Sequence, residues 1–147
     1  FTIPYNKPPI IESKAETKTK SLTKETTKNK TILIVEDDKD SFEYLNVILK
    51  KMAINTLWAI NGKMAIKYCN EHPEIDLVLM DINMPEMNGY EATKQIKKIR
   101  PVLPIISQTA YAIAGDQKKS IDAGCDDYIS KPINRKILIE KIKKLIG

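Results

Sequence analysis

The sequence predicts a doubly wound α/β domain over residues 31–147, with a parallel sheet and helices on both faces. Three observations lead there. Short apolar runs alternate with amphipathic stretches at about 20 to 25 residues per unit. Proline and glycine residues fall at the boundaries between them. Charged or hydroxyl residues stand where the apolar runs end. Alternation at this spacing requires crossover connections, which are right-handed and place helices on both sides of the sheet.

The first run, Thr31-Ile-Leu-Ile-Val35, is the continuous apolar pattern of a strand buried on both faces, and Glu36, Asp37 and Asp38 stop it. Phe42, Leu45, Ile48, Leu49 and Met52 then recur at helical spacing and predict a helix from Asp40 to Met52. Further strands are expected at Ile54 to Ala59, Ile75 to Met80, Pro104 to Gln108 and Tyr128 to Ser130. Helices are expected at Lys63 to Glu71, Tyr90 to Ile99, Ile113 to Ala123 and Arg135 to Ile146. Pro73, Pro85, Pro101, Pro104 and Pro132, with Gly62, Gly89 and Gly124, punctuate them.

With 147 residues, of which 42% are apolar, the chain has material for one domain with a modest core. No apolar stretch approaches the roughly 20 residues that a membrane helix needs. The net charge of +5 is concentrated in the first 30 residues, which hold seven Lys and three Glu. Acid nearly balances base in the remainder, so no basic groove for nucleic acid is expected. Cys69 and Cys125 lack metal-type spacing and read as thiols in a reducing cytoplasm. From Glu12 to Lys30 only Ala15 and Leu22 are apolar, the composition of a linker. Residues 1–30 are therefore expected to be the end of a preceding domain followed by a Lys/Thr-rich tether. Phe1 in the first position leads to the same expectation.

In a doubly wound sheet the ligand site lies beyond the carboxyl ends of the strands. There this sequence places Glu36, Asp37 and Asp38, then Asp81, Thr109 and Lys131. Uncompensated carboxylates brought together raise one another's pKa values, so a cation belongs among them. Oxygen ligands favour a hard ion, Mg²⁺ before Ca²⁺. A carboxylate, Mg²⁺, a hydroxyl and a lysine are also the parts needed to place a phosphoryl group on Asp.

These residues resemble the receiver domains of two-component response regulators. The likeness covers Thr31 to Gly147. It rests on Ile-Leu-Ile-Val-Glu36-Asp37-Asp38, on Asp81-Ile-Asn83-Met-Pro85-Glu-Met-Asn-Gly89, on Thr109-Ala110, and on Asp126-Asp-Tyr128-Ile-Ser-Lys131-Pro132. The resemblance implies the flavodoxin-like strand order 2-1-3-4-5 and a phosphoacceptor role for Asp81, with Lys131 and Thr109 completing the catalytic set. Mg²⁺ would be held by Asp37 directly, Glu36 through water, Asp81, and the backbone carbonyl of Asn83. Thr109 and Tyr128 would form the conformational switch, and a cis bond is expected between Lys131 and Pro132. Asn83 and Tyr111 would border the path of the water that attacks the aspartyl phosphate, and the bulk of Tyr111 is expected to slow that hydrolysis.

The implied partner is a phosphohistidine-bearing kinase or histidine phosphotransfer domain, docking near Asp40 and the loop around Pro132 and Ile133. The face from the fourth helix to the fifth would carry output or homodimer contacts. Phe1-Thr-Ile-Pro is similar to the closing strand of a histidine-kinase ATP-binding domain, so the expected context is the C-terminal receiver of a hybrid sensor histidine kinase. Its cytoplasmic receiver would then belong to a parent that can be membrane-anchored. A free-standing single-domain regulator is the alternative.

Taken singly, these residues have plainer readings. Asp38 fits the acidic start of a helix, Tyr128 a half-buried strand aromatic, His72 a helix C-terminal partner, and Trp58 a packing residue. A Mg²⁺-dependent aspartyl-phosphate phosphatase of the haloacid dehalogenase type would need an acid where Asn83 stands. A flavodoxin would need a phosphate loop where three acids stand. One departure from the receiver pattern is Gln108, a carboxamide on an expected central strand, where it needs partners.

Overall fold

The computed structural model describes residues 29–110 and 114–147. The expectations for the segment ahead of Asn29 and for Tyr111 lie outside the described residues. The elements follow in the order β1 (Thr31–Val35), α1 (Lys39–Lys51), β2 (Asn55–Ala59), α2 (Gly62–Glu71), β3 (Ile75–Asp81), α3 (Gly89–Ile99), β4 (Ile105–Thr109), α4 (Ala114–Ala123), β5 (Asp127–Ser130) and α5 (Arg135–Ile146). The sheet is parallel throughout, in the order β2-β1-β3-β4-β5. Both the class and the strand order expected from the sequence are met. Strands β3 and β4 run one residue further than their apolar runs, so Asp81 and Thr109 are the last residues of their strands.

Strand alternation divides the core in two. Leu33, Val35, Val78 and Met80 face α2 and α3, where Ala65, Cys69, Ala92 and Ile96 meet them. Ile32, Ile34, Leu77 and Leu79 face α1 and α5, packing on Leu45, Leu49, Leu138 and Ile142. Four of the five helices, α1, α2, α3 and α5, begin on side-chain caps. Asp38, Asn61, Asn88 and Asn134 accept from the backbone N–H groups of Ser41, Met64, Glu91 and Ile137, each such cap contributing about 1 kcal/mol. The acidic start expected at Asp38 is thus a cap.

The turn after β3 depends on a glycine. A Cβ on Gly89 would run into the Asp81 carbonyl oxygen and lie 2.8 Å from Ile82 Cα. Only a residue without a side chain lets α3 begin this close to the end of β3. The Gly89 N–H in turn donates to the Ile82 carbonyl at 3.1 Å.

Candidate functional site

The α1/α5 face of the sheet carries Ile34, Leu79, Ile106 and Ile129 on β1, β3, β4 and β5. Two residues further along each chain, and so on the same face, stand Glu36, Asp81, Gln108 and Lys131. Four hydrophobic strands therefore end in a row of four polar side chains. Glu36, Asp81 and Gln108 are buried.

Lys131 closes the row. Its Nζ donates to Asp81 Oδ1 at 3.2 Å and to Glu36 Oε2 at 3.3 Å. Burial works against the Lys131 charge, but Asp81 and then Glu36 outweigh it and hold its pKa above the ordinary lysine value. Glu36 has the opposite fate. Burial, reinforced by the Asp81 charge, pushes its carboxyl up to about 7, although Lys131 and the Asp38 backbone N–H pull against the rise.

Exposed Asp37 completes an acidic cluster in which one carboxylate oxygen each from Glu36, Asp37 and Asp81 lie within 4.8 Å of one another. Three acids against one lysine leave negative charge uncompensated. The donors are all hard oxygens, and ligand oxygens around Mg²⁺ stand about 3 to 4 Å apart at its bond length. The donor set, its spacing and the upward shift of Glu36 fit a divalent hard cation.

Local structure orients this cluster. The Asn83 N–H donates to Asp81 Oδ1 at 3.1 Å, folding the turn back over the carboxylate. The Ile82 N–H donates to the Gln108 carbonyl at 3.1 Å and holds β3 to β4 at this level. Trp58 Nε1 donates to the Glu36 carbonyl at 2.8 Å, and its ring stacks on Phe42 with centroids 4.3 Å apart. The Lys131-Pro132 bond is cis, as expected.

Thr109 follows Gln108 and so points to the opposite face. Its hydroxyl donates to Asp116 Oδ2 at 3.5 Å, while the Tyr90 hydroxyl donates to the Asp116 carbonyl at 3.4 Å. Tyr128 is half-buried, with the Lys141 ammonium 5.4 Å from its ring centroid. Of the site residues named from the sequence, Glu36, Asp37, Asp81 and Lys131 come together through their side chains and Asn83 through its backbone. Thr109 is tied to Lys131 through the backbone, its carbonyl accepting from the Lys131 N–H at 2.8 Å. The packing role expected of Trp58 is met by its stacking on Phe42, whereas sequence reasoning missed its hydrogen bond to Glu36 and missed Asp116 altogether, contacts that depend on tertiary placement alone. His72 caps α2, and its Nδ1 lies 3.0 Å from Glu74 Oε2.

Gln108 is the exception in the row. Neither Nε2 nor Oε1 has a hydrogen-bond partner among the described residues, so the departure noted in the sequence is a buried, unpaired carboxamide.

The sequence matches the family described as response regulator receiver domain over residues 32–143. The polar-differentiation response regulator DivK of Brucella anthropi is 37% identical over 121 residues, spanning 80% of this chain and 97% of that protein. The receiver domain of the sensor histidine kinase PA1611 from Pseudomonas aeruginosa, solved with a magnesium ion coordinated in its active site cleft, superposes with a TM-score of 0.75 at 30% identity. That match covers 81% of this chain and 98% of that one. A chain from the co-crystal structure of the Saccharomyces cerevisiae histidine phosphotransfer protein Ypd1 with the receiver domain of its response regulator Ssk1 matches with a TM-score of 0.76 at 30% identity. It covers 82% of this chain and 90% of that one. No helix among the described residues is long and apolar enough to cross a membrane.

Proposed function

Because the chain belongs to the response regulator receiver domain family, we propose that it takes a phosphoryl group from a phosphohistidine onto Asp81 and changes conformation in response. The observation that carries this reading is the buried Asp81 carboxylate, held by Lys131 beside Glu36 and Asp37. Asp81 Oδ1 receives the N–H groups of Lys131 and Asn83, so Oδ2 is the oxygen offered to phosphorus. As the P–O bond forms, the P–N bond of the donor breaks and its electron pair stays on the imidazole nitrogen. Mg²⁺, held by Glu36, Asp37, Asp81 and the Asn83 carbonyl, would supply charge to the phosphoryl oxygens.

Lys131 then exchanges a carboxylate oxygen for a phosphoryl oxygen. Thr109 leaves Asp116 for the phosphoryl group, and Tyr128 follows into the space it vacates. This is a two-state shift biased by the new contacts. Asn83 and Tyr111 set the lifetime of the aspartyl phosphate, so Tyr111→Ala is expected to shorten it. The donor is a histidine kinase or a histidine phosphotransfer protein, in keeping with the Ypd1 complex. The preferred context is the receiver of a hybrid sensor kinase, with residues 1–30 as the end of a preceding domain followed by a Lys/Thr-rich tether. A single-domain regulator of the DivK kind is the second reading.

The test is intact mass after incubation with Mg²⁺ and acetyl phosphate. One added phosphoryl group is expected, absent in Asp81→Asn and in EDTA. No addition in the native chain would overturn the assignment.

A further inference from the structure

Glu36, Asp37 and Asp38 stand side by side in the turn between β1 and α1, and Glu36 and Asp37 also face Asp81. Like charges at this spacing push such a turn open. Asp37 is exposed, so its place in the cluster depends on what fixes the backbone before and after it.

Trp58 reaches both sides of the turn. It is the in-register partner of Ile34, two residues before Glu36, so its ring stands on the α1 face of the sheet. The backbone ladder between the two strands closes with the Glu36 N–H donating to the Ala59 carbonyl at 3.0 Å, and β2 ends at Ala59. The Glu36 carbonyl lies past that end, and Trp58 Nε1 donates to it at 2.8 Å. A side chain thus supplies the rung that the departing backbone of β2 does not.

Beyond Asp37 the same ring stacks on Phe42, 8° from parallel with centroids 4.3 Å apart. Phe42 belongs to the first turn of α1. Its N–H donates to the Asp38 carbonyl at 3.0 Å, and Asp38 caps that helix through Ser41. One indole on β2 therefore grips the residue before Asp37 and, through Phe42, the residue after it. Packing alone does not call for tryptophan here. A phenylalanine would stack on Phe42 as well but has no donor for the Glu36 carbonyl.

We propose that Trp58 is a positioning residue for the cation site, its hydrogen bond to the Glu36 carbonyl and its stacking on Phe42 holding the acidic turn in the conformation that binds Mg²⁺. That this Mg²⁺ serves phosphoryl transfer rests on the receiver reading, whereas the grip of Trp58 on the turn does not. With the bond removed the acids relax apart, and drawing them together again lowers the affinity for Mg²⁺.

Because the chain has one tryptophan, growth of a tryptophan auxotroph on β-(3-benzothienyl)alanine replaces Trp58 alone. The analogue keeps the bicyclic ring and its stacking but carries sulfur where the N–H stood. Trp58→Phe is the second variant. Mg²⁺ is titrated into each chain and followed by amide NMR, and labelling by acetyl phosphate is measured over the same Mg²⁺ range. Both variants should bind Mg²⁺ about tenfold more weakly. In labelling, the Mg²⁺ concentration for half-maximal rate should rise by the same factor, the loss falling on that concentration rather than on the rate at saturation. A merely structural role would lower the melting temperature and move neither quantity. Unchanged Mg²⁺ affinity in the chain bearing the analogue would overturn the proposal, as would a native chain that binds no Mg²⁺. Weakened Mg²⁺ binding in the variants of a native chain that acetyl phosphate fails to label would uphold the positioning role and count against the receiver reading.

Discussion

Lys131 Nζ lies 3.2 Å from Asp81 Oδ1, an ion pair whose carboxylate side chain is 2% exposed and whose lysine side chain is 29% exposed. The same ammonium also reaches Glu36. One cation from the end of β5 thereby makes two buried acids from the ends of β1 and β3 tolerable.

Lys131→Met removes that cation and keeps the packing volume. Breaking a buried pair from one side costs about 3 to 5 kcal/mol. Here Glu36 takes up a proton and limits the loss, so the deficit should be about 3 kcal/mol at pH 8 and smaller at pH 6. Urea unfolding without Mg²⁺, run at both pH values, measures it. An equal loss at both would mean that Glu36 does not respond to Lys131.

Glu36 also sets a pH dependence. In the metal-free fold its pKa stands at about 7, above the ordinary value of 4.5. The protonated form adds stability that is fully present below about 4.5 and is lost as pH rises through about 7. The metal-free protein should therefore weaken from pH 5 to pH 8 through this group. Mg²⁺ competes with the same proton, so its apparent affinity should climb between pH 6 and pH 8 and then level off. The fluorescence of Trp58, bonded to the Glu36 carbonyl, can follow the titration. In Glu36→Gln both slopes should disappear.

Gln108→Leu replaces a carboxamide that has no partner among the described residues with an apolar side chain of similar size. Removing a buried polar group without partners should raise stability by about 1 to 3 kcal/mol. Equilibrium urea denaturation with an unchanged m-value is the measurement. A loss of stability would show that the amide is satisfied in the folded protein.

Gly89→Ala tests the turn that presents Asp81. Its new Cβ would meet backbone, the Asp81 carbonyl oxygen and, at 2.8 Å, Ile82 Cα. Backbone cannot move aside as a side-chain tip can, so α3 must shift at a cost of about 1 to 3 kcal/mol. Because the backbone that the new Cβ presses on is that of Asp81 and Ile82, Mg²⁺ affinity should fall together with stability, read as a lower melting temperature and a weaker Trp58 response. A variant that loses stability but keeps its Mg²⁺ affinity would uncouple Gly89 from the acidic cluster.

The order of strands and helices was legible in the sequence because it depends on local periodicity. Val35, Met80 and Gln108 close apolar runs, and Phe42 through Met52 repeat at helical spacing. The acids at the strand ends were legible for the same reason, since a charged residue after a buried run must stand at the rim. Other features were decided by which strand lies beside which. β5 next to β4, and β4 next to β3, is what lets Lys131 reach across to Asp81 and Glu36. The pKa of Glu36 depends on burial and on Asp81, 45 positions later in the chain. Thr109 pairs with Asp116 because it faces α4 rather than the row of acids. Gln108 is legible as a polar residue in an apolar strand, but only its surroundings leave the amide buried and without a partner among the described residues. Periodicity is a property of neighbours along the chain, whereas burial, pairing and charge compensation are properties of neighbours in space.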